Sequence, residues 1–374
     1  MPGTVLHVTQ PTEAGVAVCV ANIARHEVER GWEVVVACPG HGDLAEWVVE
    51  AGARHVPWPA SSRPSWRTVP EFTGLRRVIA EVDPAVVHLH GSNAGLVGRL
   101  VVRGRRPTLF QPHAWSFVAG QGMLRRLSLA WERFGARWSH RTICVSQSEC
   151  RAGVEAGVDT TFEVVPNGVD LASYPAATAD DRTAARRALA LRDAPTVVCV
   201  GRLHRQKGQD LLLTIWAYVR GAVPGAQLVL IGDGPARDQL AARAPDGVVF
   251  AGARSDVARW LAASDLVAMP SRWEGMSLAL LEAMASSRSL VVSDVAGMRE
   301  ALVEGPLPPG GAVVSGQGEL ADAIVARLRD ADLATREGRA ARQRVEASFD
   351  RDETMRTIGD LTESLAATGA MVTR

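Results

Sequence analysis

The chain has 374 residues, of which 47% are hydrophobic and 22% charged, with 41 basic against 41 acidic side chains. Such a composition belongs to a soluble globular protein, and the length is too great for one ordinary core, so two domains are expected. Zero net charge excludes a global field for nucleic acid, and no run approaches the apolar length of a transmembrane helix.

From the first residues onward, short β-branched runs alternate with helical patterns, which predicts βαβ units and mostly parallel sheets. The start, Met1-Pro-Gly-Thr-Val-Leu, lacks the basic n-region of a signal peptide and reads as a first strand. In the first half, strands are expected at 5–9, 33–38, 55–58, 86–90, 108–111, 142–145 and 163–165. The second half repeats the scheme at 197–200, 227–231, 248–251, 266–269, 290–293 and 312–314. Between the halves lie Pro166-Asn-Gly-Val-Asp170 and an Ala/Asp/Thr-rich stretch over 176–183, which marks the domain junction. The expected architecture is α/β: two facing, doubly wound, Rossmann-like domains, with a ligand in a deep cleft at strand carboxyl ends. Cys38, Cys144 and Cys199 fall inside strand patterns and none of the five cysteines forms a C-x-x-C pair. A reduced, cytoplasmic protein without disulfides or a zinc site follows.

Within the first half, His88 and His90 alternate on one strand and share a face. They could form a metal pair, but no third ligand is placed by the sequence, so His90 is read as lining the cleft. Between Arg63 and Thr142 there are 13 arginines against four acids, an excess of +9 inside a neutral protein. Leu124, Leu127, Trp131, Phe134 and Trp138 recur there at helical spacing. The plain reading packs this apolar stripe on the sheet with arginines in water. The sharper one sends the basic surface to anionic lipid or a phosphate-bearing acceptor, with Trp58 and Trp66 as interfacial anchors or pocket walls.

In the second half stands the only lysine of the chain, Lys207, in the strand-to-helix turn Gly201-Arg-Leu-His-Arg-Gln-Lys-Gly208. Forty of 41 basic residues are arginine, so this position calls for a compact ammonium on a flexible stem, beside a second cation, Arg202. Further on, Glu274 and Glu282 stand eight apart in Arg272-Trp-Glu-Gly-Met-Ser-Leu-Ala-Leu-Leu-Glu-Ala-Met284. Ser277 is placed to cap the following helix, and Glu282 is its only charge. A carboxylate in so apolar a helix requires a polar partner, either an arginine or a hydroxyl-rich ligand such as ribose.

Glu274-x7-Glu282 resembles the E-x7-E motif of the retaining glycosyltransferases of family four, also called glycosyl transferases group 1, which have the GT-B fold. Gly201-Arg202 through Lys207-Gly208 is similar to that family's phosphate-binding turn, and Pro166–Asp170 to its interdomain segment. Ile231-Gly-Asp-Gly-Pro235, Phe250-Ala-Gly252 and Ser348-Phe-Asp350 are further family-like pieces, and together they span nearly the whole chain. The resemblance implies an acceptor-binding domain over 1–170, completed by a helix at 352–374, and a nucleotide-sugar-binding domain over 171–351. Arg202 and Lys207 would hold the donor diphosphate, Glu282 the ribose and Glu274 the donor sugar. Gly275, Met276 and Ser277 would line sugar and phosphates, and Gly252 and Arg254 would approach the base. His113 matches the histidine that the family places near the donor sugar, and Gly15 its glycine loop. His90 and Trp115 are expected on the acceptor side.

Two departures stand out. The double glycine of the first loop is Ala14-Gly15, and the Gly-Pro before the fifth strand of the second domain is Arg288-Ser289. Asp330-Ala-Asp332 has metal-binding spacing but sits among helix formers, so a solvated helix face is expected and no metal or other cofactor is required. Gly232-Asp-Gly-Pro lacks the third glycine of a dinucleotide fingerprint, which argues against a nicotinamide enzyme. The expectation is therefore a hexosyltransferase that takes a UDP- or GDP-linked donor and a sugar, lipid or small-molecule acceptor. It would act in the cytoplasm, with peripheral contact at the inner membrane face. A sugar phosphorylase of similar fold, and a nucleotide-sugar-binding protein without turnover, remain open.

Overall fold

The computed structural model describes residues 3–60 and 68–372; Arg63 and Trp66 lie outside them. The chain divides into two compact units, one of residues 1–167 with 352–374 and one of residues 168–351. In the first unit lie β1 (Thr4–Thr9), β2 (Glu33–Cys38), β3 (Arg54–Pro57), β4 (Val86–His90), β5 (Thr108–Gln111), β6 (Arg141–Cys144) and β7 (Phe162–Val164). They form one parallel sheet in the order β3-β2-β1-β4-β5-β6-β7. The second unit holds β8 (Thr196–Val200), β9 (Gln227–Ile231), β10 (Val248–Gly252), β11 (Leu266–Met269), β12 (Ser289–Ser293) and β13 (Gly311–Val314). Their parallel order is β10-β9-β8-β11-β12-β13.

Helices cover both faces of each sheet, so the central strands are buried on both sides and read as valine runs rather than alternating patterns. In the first unit Val5, Val34, Val36, Leu109 and Ile143 pack on one face against helices Ala14–Glu29 and Arg351–Val372. Leu6, Val8, Val35, Leu89 and Phe110 pack on the other, against Leu75, Val97 and Trp115. Under the second sheet, helix Gln209–Ala222 buries Leu212, Leu213, Ile215, Trp216 and Val219. Each such side chain contributes about 1.5–3 kcal/mol.

The order reverses beside β1 and β8, and crevices at the carboxyl ends of strands beside such reversals are where open α/β sheets bind ligands. The two chain passages that join the units run side by side, bridged at Val169 and Asp350. Gly168 must be glycine there, because a Cβ would strike the Asp350 and Arg351 backbone. All five cysteines are free thiols. Burial pushes Cys19, Cys38 and Cys199 up to about 12, which keeps them unreactive.

One expectation needs correcting. Trp58 is fully buried and donates its ring N–H to the Glu71 carbonyl, so it is a core residue and neither an anchor nor a pocket wall. Asp330 and Asp332 are exposed as expected, and the Asp330 carboxylate also accepts the Leu333 N–H and caps helix Ala331–Ser348. The Arg288 that replaces glycine is buried, donates to the Ser264 and Ala177 carbonyls, and is lowered to about 10 by that burial. It serves as a cross-tie of the second unit.

Candidate active site

The turns that follow β8, β9, β10 and β11 carry every second-unit candidate to the carboxyl edge of one sheet. After β8 the chain leaves through Gly201 at φ +150° and winds past Arg202 to Gly208 at φ +70°, which begins helix Gln209–Ala222. A Cβ on Gly208 would collide with the Pro270 carbonyl oxygen, so glycine allows the turn to press against the loop after β11. Gln206 Nε2 donates to Trp273 O at 3.0 Å, Arg272 N donates to Gln206 O at 2.7 Å, and the Arg272 guanidinium grips Asp210 through two bonds of 2.7 and 2.8 Å. The Arg272 bond holds the Asp210 carboxyl below its ordinary range. Two segments some 65 residues apart are thereby fixed as one platform.

On that platform Lys207 Nζ lies 2.6 Å from Glu274 Oε1, which also accepts from Ser271 Oγ at 3.0 Å. Their side chains are only 18% and 8% exposed, enough shielding to strengthen the ion pair well beyond a surface one. Arg202 is exposed and enters no ion pair among the described residues. Gly275, Met276 and Ser277 are buried just ahead of helix Leu278–Ala285. Ser277 occupies the N-cap position but makes no side-chain capping bond, so the expected cap is corrected. Gly297 supports this loop from behind, since a Cβ there would run into the Gly275 carbonyl.

Glu282 lies in the same helix. Burial raises its carboxyl to about 7, against opposing effects of a Tyr174 hydrogen bond and the Lys207 charge. Lys207 thus bears on both glutamates. Tyr174, whose own phenol is raised by burial and by Glu282, was not foreseen, and 108 residues separate the two. Gly252 takes φ +73° with open space where a Cβ would stand, while Arg254 is exposed and paired with Asp256 at 2.9 Å. Those two are not brought into contact with the Lys207–Glu274 pair.

In the first unit, His113 and Ala114 both take left-handed backbone, at φ +55° and +116°. Such strain persists only where neighbours over-determine it. The Glu149 carboxylate does so by accepting Ala114 N and Val145 N, each at 2.7 Å, and the Trp115 ring N–H donates to Glu149 O at 2.7 Å. Sequence analysis missed Glu149, although Ser146-x-x-Glu149 after β6 is a capping-box pattern through which it could have been found. Trp115 is buried among Phe110, Phe117 and Phe162, and His90 is fully buried, so neither lines an acceptor surface as expected. His90 instead hydrogen-bonds His113 at 3.2 Å and His7 at 3.0 Å. Burial lowers His113 to about 4 and lowers His88 and His90 strongly, so these rings are neutral at pH 7.

Gly15 sits exposed in the first turn of helix Ala14–Glu29, and Ala14 before it takes φ +60°. Alanine here holds a left-handed conformation that glycine takes freely, at a cost of about 1–2 kcal/mol. Ala14→Gly is expected to leave the fold intact and stabilise it by up to about 1 kcal/mol in denaturant titrations. A destabilised variant would count against the strained assignment.

Helix Gly122–Gly135 departs most from expectation, because only Glu132 and Gly135 are buried. Met123, Leu124, Leu127 and Phe134 are 66, 64, 61 and 44% exposed, among the exposed Arg125, Arg126 and Arg133. Leu124, Leu127 and Phe134 of the expected stripe therefore do not pack on the sheet, whereas Leu129 packs against its core and Trp131 and Trp138 are half-buried.

Residues 14–173 match the family Glycosyltransferase Family 4, and residues 194–330 the family Glycosyl transferases group 1. A GDP-mannose-dependent alpha-(1-6)-phosphatidylinositol monomannoside mannosyltransferase of Mycobacterium tuberculosis is 31% identical over 296 residues, 74% of each chain. The UDP-Gal:alpha-D-GlcNAc-diphosphoundecaprenol alpha-1,3-galactosyltransferase of Escherichia coli is 27% identical over 282 residues, 71% of this chain and 72% of that one. Among solved structures, Anabaena Alr3699/HepE in complex with UDP and glucose superposes with a TM-score of 0.82 at 22% identity, covering 97% of this chain and all of the other.

Proposed function

This chain belongs to the group 1 and family 4 glycosyltransferases, and on that premise we propose that it transfers a hexose with retention, without a metal, from a UDP- or GDP-linked donor to an alcohol of a lipid-linked acceptor. It is a glycosyltransferase of the nucleotide-sugar-dependent kind, built on two Rossmann-like units of the GT-B type. The observation that carries the finer reading is the Lys207–Glu274 contact at 2.6 Å, with Glu282 near enough to feel the Lys207 charge.

In this reading Lys207 and Arg202 neutralise the leaving diphosphate, assisted by the free N–H groups of helix Leu278–Ala285. Glu274 accepts hydroxyls of the sugar and Glu282 those of ribose. Gly252 and Arg254 approach the base, and His113 serves the donor sugar. Two cations and a helix N-terminus supply the charge that a divalent ion would otherwise bring. All five of Arg202, Lys207, Glu274, Glu282 and His113 are present, which argues against a binder without turnover. A phosphorylase would release sugar phosphate rather than nucleotide.

A thermal-shift panel of UDP- and GDP-sugars identifies the donor, since a ligand at 100 times its Kd stabilises by about 2.7 kcal/mol. NMR of the product should then show the donor's α configuration, and activity should survive a chelator. An inverted product, or activity lost to chelation and restored by a divalent ion, would overturn this reading.

The lipid side rests on the exposed helix. Apolar Met123, Leu124, Leu127 and Phe134 among arginines suit an interfacial helix on an anionic leaflet. No helix among the described residues is long and apolar enough to cross a membrane. Cosedimentation with phosphatidylglycerol vesicles should be strong at low salt and weaker at physiological salt. Arg125→Ser with Arg126→Ser should weaken it by about 30-fold, at about 1 kcal/mol per arginine. Absence of binding at low salt would leave a small, water-soluble acceptor instead.

A further inference from the structure

We infer that Glu27, His7, His90 and His113 form a buried hydrogen-bond relay that fixes which nitrogen of His113 carries the proton. β1 and β4 are paired in register, His7 with His88 and Thr9 with His90, which stacks the three histidine rings on one face of the sheet. The chain of contacts runs from Glu27 Oε2 to His7 Nε2 at 2.6 Å, from His7 Nδ1 to His90 Nε2 at 3.0 Å, and from His90 Nδ1 to His113 Nε2 at 3.2 Å. Glu27, His7 and His90 are fully buried. The other oxygen of Glu27 accepts Thr362 Oγ1 at 2.9 Å, which anchors the end of the relay.

Counting protons gives the direction. A carboxylate only accepts, so His7 Nε2 carries a hydrogen, and a neutral ring then has Nδ1 as acceptor. His90 must donate from Nε2 into it, which leaves His90 Nδ1 to accept from His113 Nε2–H. The Nδ1 of His113 is left with a lone pair. One charged group on helix Ala14–Glu29 thereby sets the tautomer of a histidine held on strained backbone.

A metal is the competing use of these rings, because His7, His88 and His90 each bring a ligand atom within 4.8 Å of the others. The 3.0 Å between the facing nitrogens of His7 and His90 favours a hydrogen bond. Two ligands of one tetrahedral zinc stand about 3.3 Å apart at 2.0–2.1 Å bond lengths.

The benefit to catalysis rests on the donor-sugar reading of His113: a neutral nitrogen with a lone pair accepts a sugar hydroxyl and puts no positive charge beside a developing oxocarbenium ion. Long-range proton–nitrogen NMR on protein labelled with nitrogen-15 histidine reads the tautomers without substrate. His7, His90 and His113 should all be Nε2–H. In Glu27→Leu, which removes the acceptor, His7, His90 and His113 should together lose the exclusive Nε2–H form. A second change, His90→Gln, should uncouple His113 from Glu27→Leu. Glu27→Leu should also lower turnover at least about tenfold, as loss of a tautomer-fixing partner does, with UDP or GDP affinity within about twofold. An Nδ1–H form of His113 in the native protein, or a change confined to His7, would overturn the relay. So would stoichiometric zinc on the purified protein with His7, His88 and His90 shifted as ligands. A changed His113 tautomer with unchanged turnover in Glu27→Leu would instead overturn the role of His113.

Discussion

Lys207→Ala is expected to lower turnover by about 100- to 1000-fold, the range for loss of one preorganised electrostatic contact to a departing group. The ammonium sits 2.6 Å from Glu274 and bears on Glu282, so its removal strips both carboxylates of their nearest cation. Arg202, exposed on the same turn, remains and limits the loss. Lys207→Arg should also fall well below the native rate. The lysine stem passes close over Gly201, whose added Cβ would stand 3.3 Å from Lys207 Cδ. A planar guanidinium on that path cannot place a point charge where the ammonium lies. Steady-state rates with the donor found by thermal shift decide the matter, and a fully active Lys207→Arg enzyme would refute it.

Glu282→Gln and Glu274→Gln should separate cleanly by calorimetry with the free nucleoside diphosphate. Glu282→Gln is expected to weaken binding, because its proposed partner is ribose, whereas Glu274→Gln is expected to leave binding nearly intact and lower turnover. Equal losses in both would mean the roles are misassigned. The pH dependence follows from the carboxyl of Glu282 at about 7. The sign is that of a raised acid: between its ordinary range and pH 7 the folded protein holds a proton that the unfolded chain has released, so this site destabilises the fold as pH rises through that window. With the proposed ribose contact made by the ionised carboxylate, nucleotide binding is expected to expel the proton. Affinity should therefore rise by about 20-fold from pH 5.5 to 7.5 and level off above, relative to Glu282→Gln measured in parallel. Calorimetry in buffers of different ionisation enthalpy detects the released proton. Release that is the same in Glu282→Gln would assign it to another group.

Every expected strand is present within a residue or so of its expected bounds, and the central ones were the most legible because strands buried on both faces need near-continuous apolar sequence. Lys207, Glu274 and Glu282 were legible for a related reason: each is a charge where the local pattern has no use for one. What pairs with them was not legible. Tyr174 reaches Glu282 and Glu27 reaches His7 only after the chain has folded back, and nothing at those positions advertises a partner. Trp115 and Trp58 misled because an aromatic residue near a site-like segment reads alike whether it lines a pocket or fills a core. The helix Gly122–Gly135 misled in the opposite sense, since helical spacing shows that apolar residues share a face and not what covers that face.

The Lys207–Glu274 pair has a practical use beyond its chemistry. Lys207 carries the chain's one side-chain amine, partly exposed and engaged with a carboxylate. Reductive methylation with carbon-13 formaldehyde would therefore install a single side-chain reporter, apart from the α-amine at the start of the chain. Its NMR line would follow occupancy of the proposed diphosphate turn without a mutation or an engineered tag, because the scarcity of lysine has already made this protein a single-site probe of itself.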